Sequence, residues 1–239
     1  MTKRAVILAG GKGTRLAPYT TVFPKPLMPL GDTPILEVIL RQLARGGFEH
    51  ATLAVGHLAE LMEAFCGDGE KFGVAIDYVR EDAPLGTAGS LAMVSDLSED
   101  AFLVMNGDVL STLDYAAFLD RHAESGACVS IATYVRRQQV DFGVVVSDPG
   151  GRVTDYVEKP ENEYLVSMGV YGFSPRAIAH IDPGERLDFP DLVTRLLAAG
   201  EYVRSEPFDG YWLDIGRHDD FAAAQDVYAS SPERFLPRD

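Results

Sequence analysis

Two basic side chains and two carboxylates, set among glycines and prolines, are the residues of this chain best suited to chemistry. Leu8-Ala9-Gly10-Gly11-Lys12-Gly13-Thr14-Arg15-Leu16 is followed downstream by Pro24-Lys25-Pro26. Gly10, Gly11 and Gly13 let the backbone turn where side chains would clash, and such a loop can aim successive N–H groups at one anionic group. Arg15 adds a bidentate donor, and Lys25 a compact charge on a proline-stiffened loop. That combination suits a polyphosphate. It is not a dinucleotide fingerprint, because Leu16 stands where a third glycine is needed, nor a P-loop, because no Gly-Lys-Ser/Thr follows four intervening residues. The plainer alternative is a tight turn after a strand, and against it stand two cations in an otherwise acidic chain.

Asn106-Gly107-Asp108 falls where an apolar strand should end, and ligands of open α/β sheets bind off the carboxyl ends of strands. Asp108 is therefore a candidate Mg²⁺ ligand, although Asn-Gly-Asp is also good turn chemistry. Asp214 lies in the apolar run Tyr211-Trp212-Leu213-Asp214-Ile215-Gly216, where a charge is costly without a partner. Its alternative role, capping the last helix, suits Asp219 and Asp220 better. Two carboxylates with phosphate oxygens make a Mg²⁺ shell, since that ion keeps waters and takes one or two protein ligands. Glu158-Lys159-Pro160 either is an exposed strand end or binds a sugar phosphate, with Glu158 on hydroxyls and Lys159 on the phosphate. Pro84-Leu85-Gly86-Thr87-Ala88-Gly89 is either a loop or a backbone surface for a flat base. His50, His57, His122, His180 and His218 show no metal-ligand spacing and read as structural or solvent-exposed.

Composition narrows the setting. The 239 residues carry 21 Lys and Arg against 36 Asp and Glu, a net charge of −15, which argues against nucleic-acid binding by phosphate neutralisation. A phosphate ligand must then be held by a few concentrated cations or by a metal. Cys66 and Cys128 form no CxxC, so neither a disulfide framework nor a zinc site is indicated. A strand is expected within the first few residues, with no room for a signal peptide, and no apolar run approaches the ~18 residues of a membrane span. The expectation is a cytoplasmic protein without membrane or nucleic-acid partners.

These residues need a scaffold that gathers strand ends, and the pattern supplies one. Strands are expected at Arg4–Ala9, Ala51–Val55, Val74–Tyr78, Ala101–Met105 and Cys128–Tyr134, the fourth lying centrally because it is wholly apolar. Helices alternate with them: one capped by Thr33 with Pro34 at its first position, its Ile35, Leu36, Ile39, Leu40 and Leu43 on one face, and others at Ala59–Phe65, Thr87–Val94 and Tyr115–Glu124. Beyond Tyr134, Gly143–Ser147 and Val153–Glu158 flank Asp148-Pro149-Gly150-Gly151 and read as an antiparallel hairpin. Strands at Ser167–Phe173, Tyr202–Pro207 and Tyr211–Ile215 follow, with helices at Pro175–Ile181, Phe189–Ala199 and Asp219–Tyr228 and a fraying end from Ser230 to Asp239. The fold class is α/β: a Rossmann-like, doubly wound mixed sheet, with a smaller α+β part inserted in the C-terminal half.

In this order and spacing, the motifs resemble those of the sugar-1-phosphate nucleotidyltransferase family from Ala5 to about Tyr228. The carrying stretches are the Leu8–Leu16 loop, Pro24-Lys25-Pro26, Gly86-Thr87-Ala88-Gly89, Asn106-Gly107-Asp108, Phe142-Gly143-Val144-Val145, Glu158-Lys159-Pro160 and Trp212-x-Asp214-x-Gly216. The resemblance implies one domain over 1–239, with a nucleotide half (1–134), a sugar-phosphate half (135–229) and a tail (230–239). It implies the reaction of an NTP with a sugar 1-phosphate to give an NDP-sugar and pyrophosphate. By the same resemblance Leu8, Ala9, Gly10, Gly11, Gly13, Thr14 and Arg15 hold the nucleotide together with Gly86 and Thr87. Arg15, Lys25, Asp108 and Lys159 are implied as catalytic, Asp108 and Asp214 as Mg²⁺ ligands, and Gly143, Glu158, Lys159 and Ser167 as the sugar-phosphate site. A homo-oligomer is compatible with it.

Two departures bear on the substrate. Ser167-Met168-Gly169 replaces an Asn-Ala-Gly common in the family, and Glu81 to Gly86 lacks the Gln of thymidylyl members. Pro-Leu-Gly-Thr-Ala-Gly looks more like mannose- and heptose-1-phosphate guanylyltransferases, so GTP is favoured over UTP, CTP and dTTP. A glycosyltransferase would show Asp-x-Asp where Asn106-Gly107-Asp108 stands. A non-catalytic sensor subunit would tend to lose Lys25, Asp108, Lys159 and Asp214, all of which remain.

Overall fold

Apolar runs that end in a small or polar residue become the strands of one sheet. The computed structural model describes residues 2–81, 83–97 and 100–236. Its strands and helices are β1 (Lys3–Ala9), β2 (Pro29–Leu30), β3 (Thr33–Pro34), α1 (Ile35–Arg45), β4 (Phe48–Val55), α2 (Ala59–Cys66), β5 (Ala75–Arg80), α3 (Gly86–Gly89), β6 (Phe102–Asn106), β7 (Val109–Ser111) and α4 (Tyr115–Ser125). The second half adds β8 (Val129–Gln139), β9 (Val144–Ser147), β10 (Val153–Val157), β11 (Glu161–Phe173), α5 (Phe189–Ala198), β12 (Val203–Phe208), β13 (Trp212–Asp214) and α6 (His218–Ser230).

Seven strands form one sheet in the order β12-β8-β11-β6-β1-β4-β5. β6, β1, β4 and β5 run parallel, β12 runs parallel to β8, and β11 lies antiparallel to both neighbours. The sheet is thus mixed, with the apolar β6 at its centre, as its composition requires. Successive side chains of β1 and β6 serve opposite faces. Ala5, Ile7, Leu103 and Met105 join the core under α1 and α4, and Val6, Phe102 and Val104 join the core under α5. Ile35, Leu36, Ile39, Leu40 and Leu43 of α1 are all fully buried, so the expected helical face is the one that packs. Among the described residues, no helix is long and apolar enough to cross a membrane.

The structure corrects several local expectations. Thr33 does not cap α1. Thr33 and Pro34 pair with Pro29 and Leu30 as a two-stranded ladder, Pro34 takes the cap position, and the Ile35 amide donates to Met28 O at 3.1 Å. The helix expected at Thr87–Val94 is the single turn α3 followed by a 3-10 turn over Ser90–Met93. Neither Asp219 nor Asp220 caps α6, which begins after Arg217 without a side-chain cap. The fraying expected from Ser230 does not hold for residues 230–236. Ser230 still belongs to α6, and Phe235 is buried between Tyr211 and Tyr228. Residues 237–239 and Asp82 of the expected base loop lie outside the described residues.

β8 and β11 extend well past their expected ends. Their register shifts between Ser167 and Tyr171. On one side of the shift β11 is buried against β6, and on the other, Glu161–Ser167 pairs with β8 alone. The two strands leave the core there as an exposed ribbon, carrying the expected β9–β10 hairpin at its end. A Cβ at Gly169, inside the shift, would come 2.5 Å from Asn106 Nδ2. That close approach requires glycine.

Candidate active site

The parallel strands β1, β4, β5 and β6 bring their carboxyl ends to one edge, and a cavity of about 400 Å³ opens there. The end of β1 and the following loop line it with Leu8, Ala9, Gly10, Gly11 and Gly13. Gly13 has φ +60°, and a Cβ there would come 3.0 Å from Thr20 and 3.2 Å from Lys25, so only glycine keeps this turn unstrained. Thr20 Oγ1 donates to Gly13 O at 2.8 Å and fixes the loop from below.

Thr14, Arg15, Lys25 and Asp108 complete that wall, and Gly86 and Thr87 face it from α3. The nucleotide residues, the two loop cations and the first carboxylate expected from the sequence therefore meet in one hollow. Lys25 is buried and donates to Asp108 Oδ2, whereas Asp108 Oδ1 is buried with no hydrogen-bond partner. Asp214 arrives on the neighbouring ladder: β13 pairs with β7 through Asp214 and Val109, and the Ile215 amide donates to Asp108 O at 3.1 Å. Burial, followed by the charge of Asp108, pushes the Asp214 carboxyl up, while Lys25 and Arg15 oppose the shift. Arg15 lies over Gly216, where a Cβ would come 3.3 Å from its guanidinium.

An orphaned buried carboxylate oxygen beside a second carboxylate that is repelled by it has the chemistry to hold a divalent cation. Among the described residues no cluster of three or more His, Cys, Asp or Glu ligands occurs.

Gly143, Glu158, Lys159 and Ser167 are not among the residues that line this cavity; they sit on the ribbon and its hairpin. Tyr156 connects Gly143 with Glu158. Its hydroxyl rests where a Gly143 Cβ would be, and donates to Glu158 Oε2 at 3.3 Å. Lys159 holds φ +46°, a conformation uncommon for a residue with a side chain. Ser167 Oγ donates to Tyr171 Oη at 3.1 Å.

Glu81, at the start of the expected base loop, and Ser90 line the cavity, although neither was among the candidate site residues of the sequence. Glu81 follows β5 directly, so its place at the end of a parallel strand was the available signal. Its Oε2 accepts from the Leu85 amide at 3.1 Å, and burial raises its carboxyl. Trp212 Nε1 donates to Met168 O at 2.9 Å and its ring packs on Tyr134, tying β13 to the register shift of β11. The five histidines form no cluster. His122 is buried with Nδ1 2.8 Å from Ser130 Oγ, and burial pushes its imidazole down to about 4.

Known proteins are similar to this chain over most of its length. The family model described as nucleotidyl transferase matches residues 4–231. A mannose-1-phosphate guanylyltransferase of Mycobacterium tuberculosis is 37% identical over 226 residues, covering 91% of this chain and 62% of that protein. A UTP–glucose-1-phosphate uridylyltransferase of Synechocystis is 35% identical over 237 residues, covering 91% of this chain and 61% of that protein. The chain thus spans about three fifths of the length of these two relatives. Among solved structures, HddC from Yersinia pseudotuberculosis superposes with a TM-score of 0.73 at 25% identity, over 95% of this chain and all of that one. A structure from Bacillus anthracis, with a TM-score of 0.76 at 24% identity over 95% of each chain, shows the same fold.

Proposed function

The chain belongs to the nucleotidyl transferase family, and on that footing we propose that it joins an NTP to a sugar 1-phosphate, releasing pyrophosphate. The observation that carries the reading is the meeting of Arg15, Lys25, Asp108 and the Gly10–Gly13 loop in one cavity, with Asp214 on the adjoining strand.

The loop amides and Arg15 hold the triphosphate, and Arg15 balances charge on the departing pyrophosphate. Lys25 sits at the α-phosphate. An oxygen of the sugar phosphate forms a bond to the α-phosphorus as the bond to the bridging oxygen of the β-phosphate breaks in line. No general base is needed, because a phosphate monoester with second pKa of about 6 is largely dianionic at neutral pH. Asp108 and Asp214 would hold Mg²⁺, which when bound neutralises charge shared by the two phosphates. Lys159 and Glu158 meet the phosphate and hydroxyls of the sugar, beside Gly143 and Ser167. Catalysis is then positioning and charge balance, as in phosphoryl transfer generally.

GTP with a mannose- or heptose-type 1-phosphate is the favoured pair, supported by the mycobacterial relative and by the Pro84–Gly89 loop. The Synechocystis relative supports UTP with glucose 1-phosphate as the second reading. Pyrophosphate release is measured for GTP, UTP, CTP and dTTP against a panel of sugar 1-phosphates, with Mg²⁺ and with EDTA. The expected result is one strongly preferred pair whose turnover EDTA abolishes. Turnover with no pair, or indifference to EDTA, would sink the proposal.

A further inference from the structure

The wall of the cavity opposite the glycine loop is one short turn, α3, which is too small to hold its own shape. It is held by a segment about a hundred residues away. The Leu187 amide donates to Leu85 O at 2.9 Å, and Leu187 O accepts from the Ala88 and Gly89 amides at 2.9 and 3.0 Å. Next to these backbone bonds lies a reciprocal pair of side-chain bonds. The Thr87 amide donates to Asp188 Oδ1 at 3.1 Å, and the Phe189 amide donates to Thr87 Oγ1 at 2.7 Å.

The exchange is unusual in its direction. Asp188 holds the cap position of α5, yet its side chain caps nothing there. Its carboxylate serves Thr87 of the cavity wall, and Thr87 in return satisfies the first amide of α5. The two residues cap each other's turns across the chain. Gly86 makes the approach feasible: it has φ +79°, and a Cβ there would come 2.6 Å from Leu187 O and 2.8 Å from Asp188 Oδ1. Asp188 is half-buried and is not among the residues that line the cavity.

We infer that Asp188 is a positioning residue for the nucleotide: acting through Thr87, it fixes the wall against which the NTP binds and leaves the sugar-phosphate side untouched. The inference rests on the nucleotidyltransferase reading above. Replacing the carboxylate by a methyl group loses the Thr87 amide bond and frees the wall to move. The loss of one hydrogen bond of about 1 kcal/mol predicts a KM for NTP raised roughly fivefold.

The test is steady-state kinetics with the preferred substrate pair for wild type, Asp188→Ala and Asp188→Asn, with hydrogen exchange over residues 85–90. Asp188→Ala is expected to raise the KM for NTP by that factor, with kcat and the KM for sugar 1-phosphate within about twofold of wild type, and to speed amide exchange in the wall. Asp188→Asn keeps an acceptor at Oδ1 and is expected to restore the NTP KM. If Asp188→Ala yields no folded protein, Asp188→Glu replaces it; the extra methylene displaces the acceptor from Thr87, and the same KM rise is expected. An unchanged KM for NTP overturns the inference. So does a rise shared equally by both substrates, a fall in kcat alone, or an asparagine variant no better than alanine. Wild-type protein without turnover on any pair would instead remove the function itself, and this role with it.

Discussion

Lys25 donates to one oxygen of Asp108 while the other oxygen of that carboxylate is buried without a partner. The cation is therefore committed to one side of the carboxylate and the opposite side is open to a second positive charge. Lys25→Met leaves Asp108 uncompensated, which costs roughly 3–5 kcal/mol for a buried pair broken on one side. The variant is expected to unfold at lower temperature and to lose at least ~10²-fold in kcat. Lys25→Arg keeps the charge but brings a planar fork where a compact ammonium fits, so it should recover stability more than turnover. Thermal unfolding and pyrophosphate release on the two variants separate these effects.

Asp214 gives a prediction with two signs. Burial and the charge of Asp108 raise its carboxyl, so the folded protein binds this proton more tightly than the unfolded chain does. Without divalent ion, stability from this group is greatest at low pH and is lost as pH rises from 3.8 through the raised value. Asp214→Asn is then expected to raise the unfolding temperature in EDTA at pH 7 and to remove that slope. Added Mg²⁺ should stabilise wild type and leave Asp214→Asn unmoved. Calorimetry with and without Mg²⁺ across pH reads both outcomes, and a less stable variant in EDTA would contradict the assignment.

His122 is a base with the opposite behaviour. Burial lowers its imidazole from 6.5 to about 4, so the folded state resists the proton that the unfolded chain accepts. Stability from neutral His122 is complete above pH 6.5 and falls as pH drops toward 4. The expected observation is an imidazole proton resonance that titrates near 4, together with a falling unfolding temperature across that interval. His122→Gln should flatten the temperature profile.

The proposed sugar-phosphate role of the hairpin is tested at a contact. A Cβ at Gly143 would occupy the place of the Tyr156 hydroxyl, which in turn holds Glu158. Gly143→Ala must push Tyr156 aside and Glu158 with it. Because this hairpin is exposed, the unfolding temperature should hardly change, while the KM for sugar 1-phosphate rises about tenfold or more. Tyr156→Phe removes only the hydrogen bond and should raise it roughly two- to fivefold. A rise in the KM for NTP in either variant would move these residues out of the sugar-phosphate site.

The candidate site was most legible where chemistry and chain order coincide. The Gly10–Gly13 loop follows β1 directly, and Asp108 follows β6, so strand ends alone located both. Contacts between distant segments were not legible. Thr87 and Asp188 are joined by hydrogen bonds between turns far apart in the chain, and nothing in the local pattern of either segment marks the pairing. Thr33 and Pro34 have the types of a helix start, yet the ladder with Pro29 and Leu30 claims them first. Phe235 is one aromatic in a polar string, and only the pocket between Tyr211 and Tyr228 explains its burial. The ribbon halves of β8 and β11 were missed because both faces are exposed there, so no alternation betrays a strand.

The register shift at Met168-Gly169 makes β11 a seam. One strand is shared by the central sheet and the projecting ribbon, and the ribbon is continuous with that sheet through β8 and β11. A graft cut at Tyr134 and Ser167 would therefore exchange the whole projection as a cassette, leaving Asn106, Asp108 and Lys25 on native ground. Chimaeras built at these two sutures should inherit the donor's choice of sugar and keep the recipient's choice of nucleotide, so the two substrate preferences become separable by design.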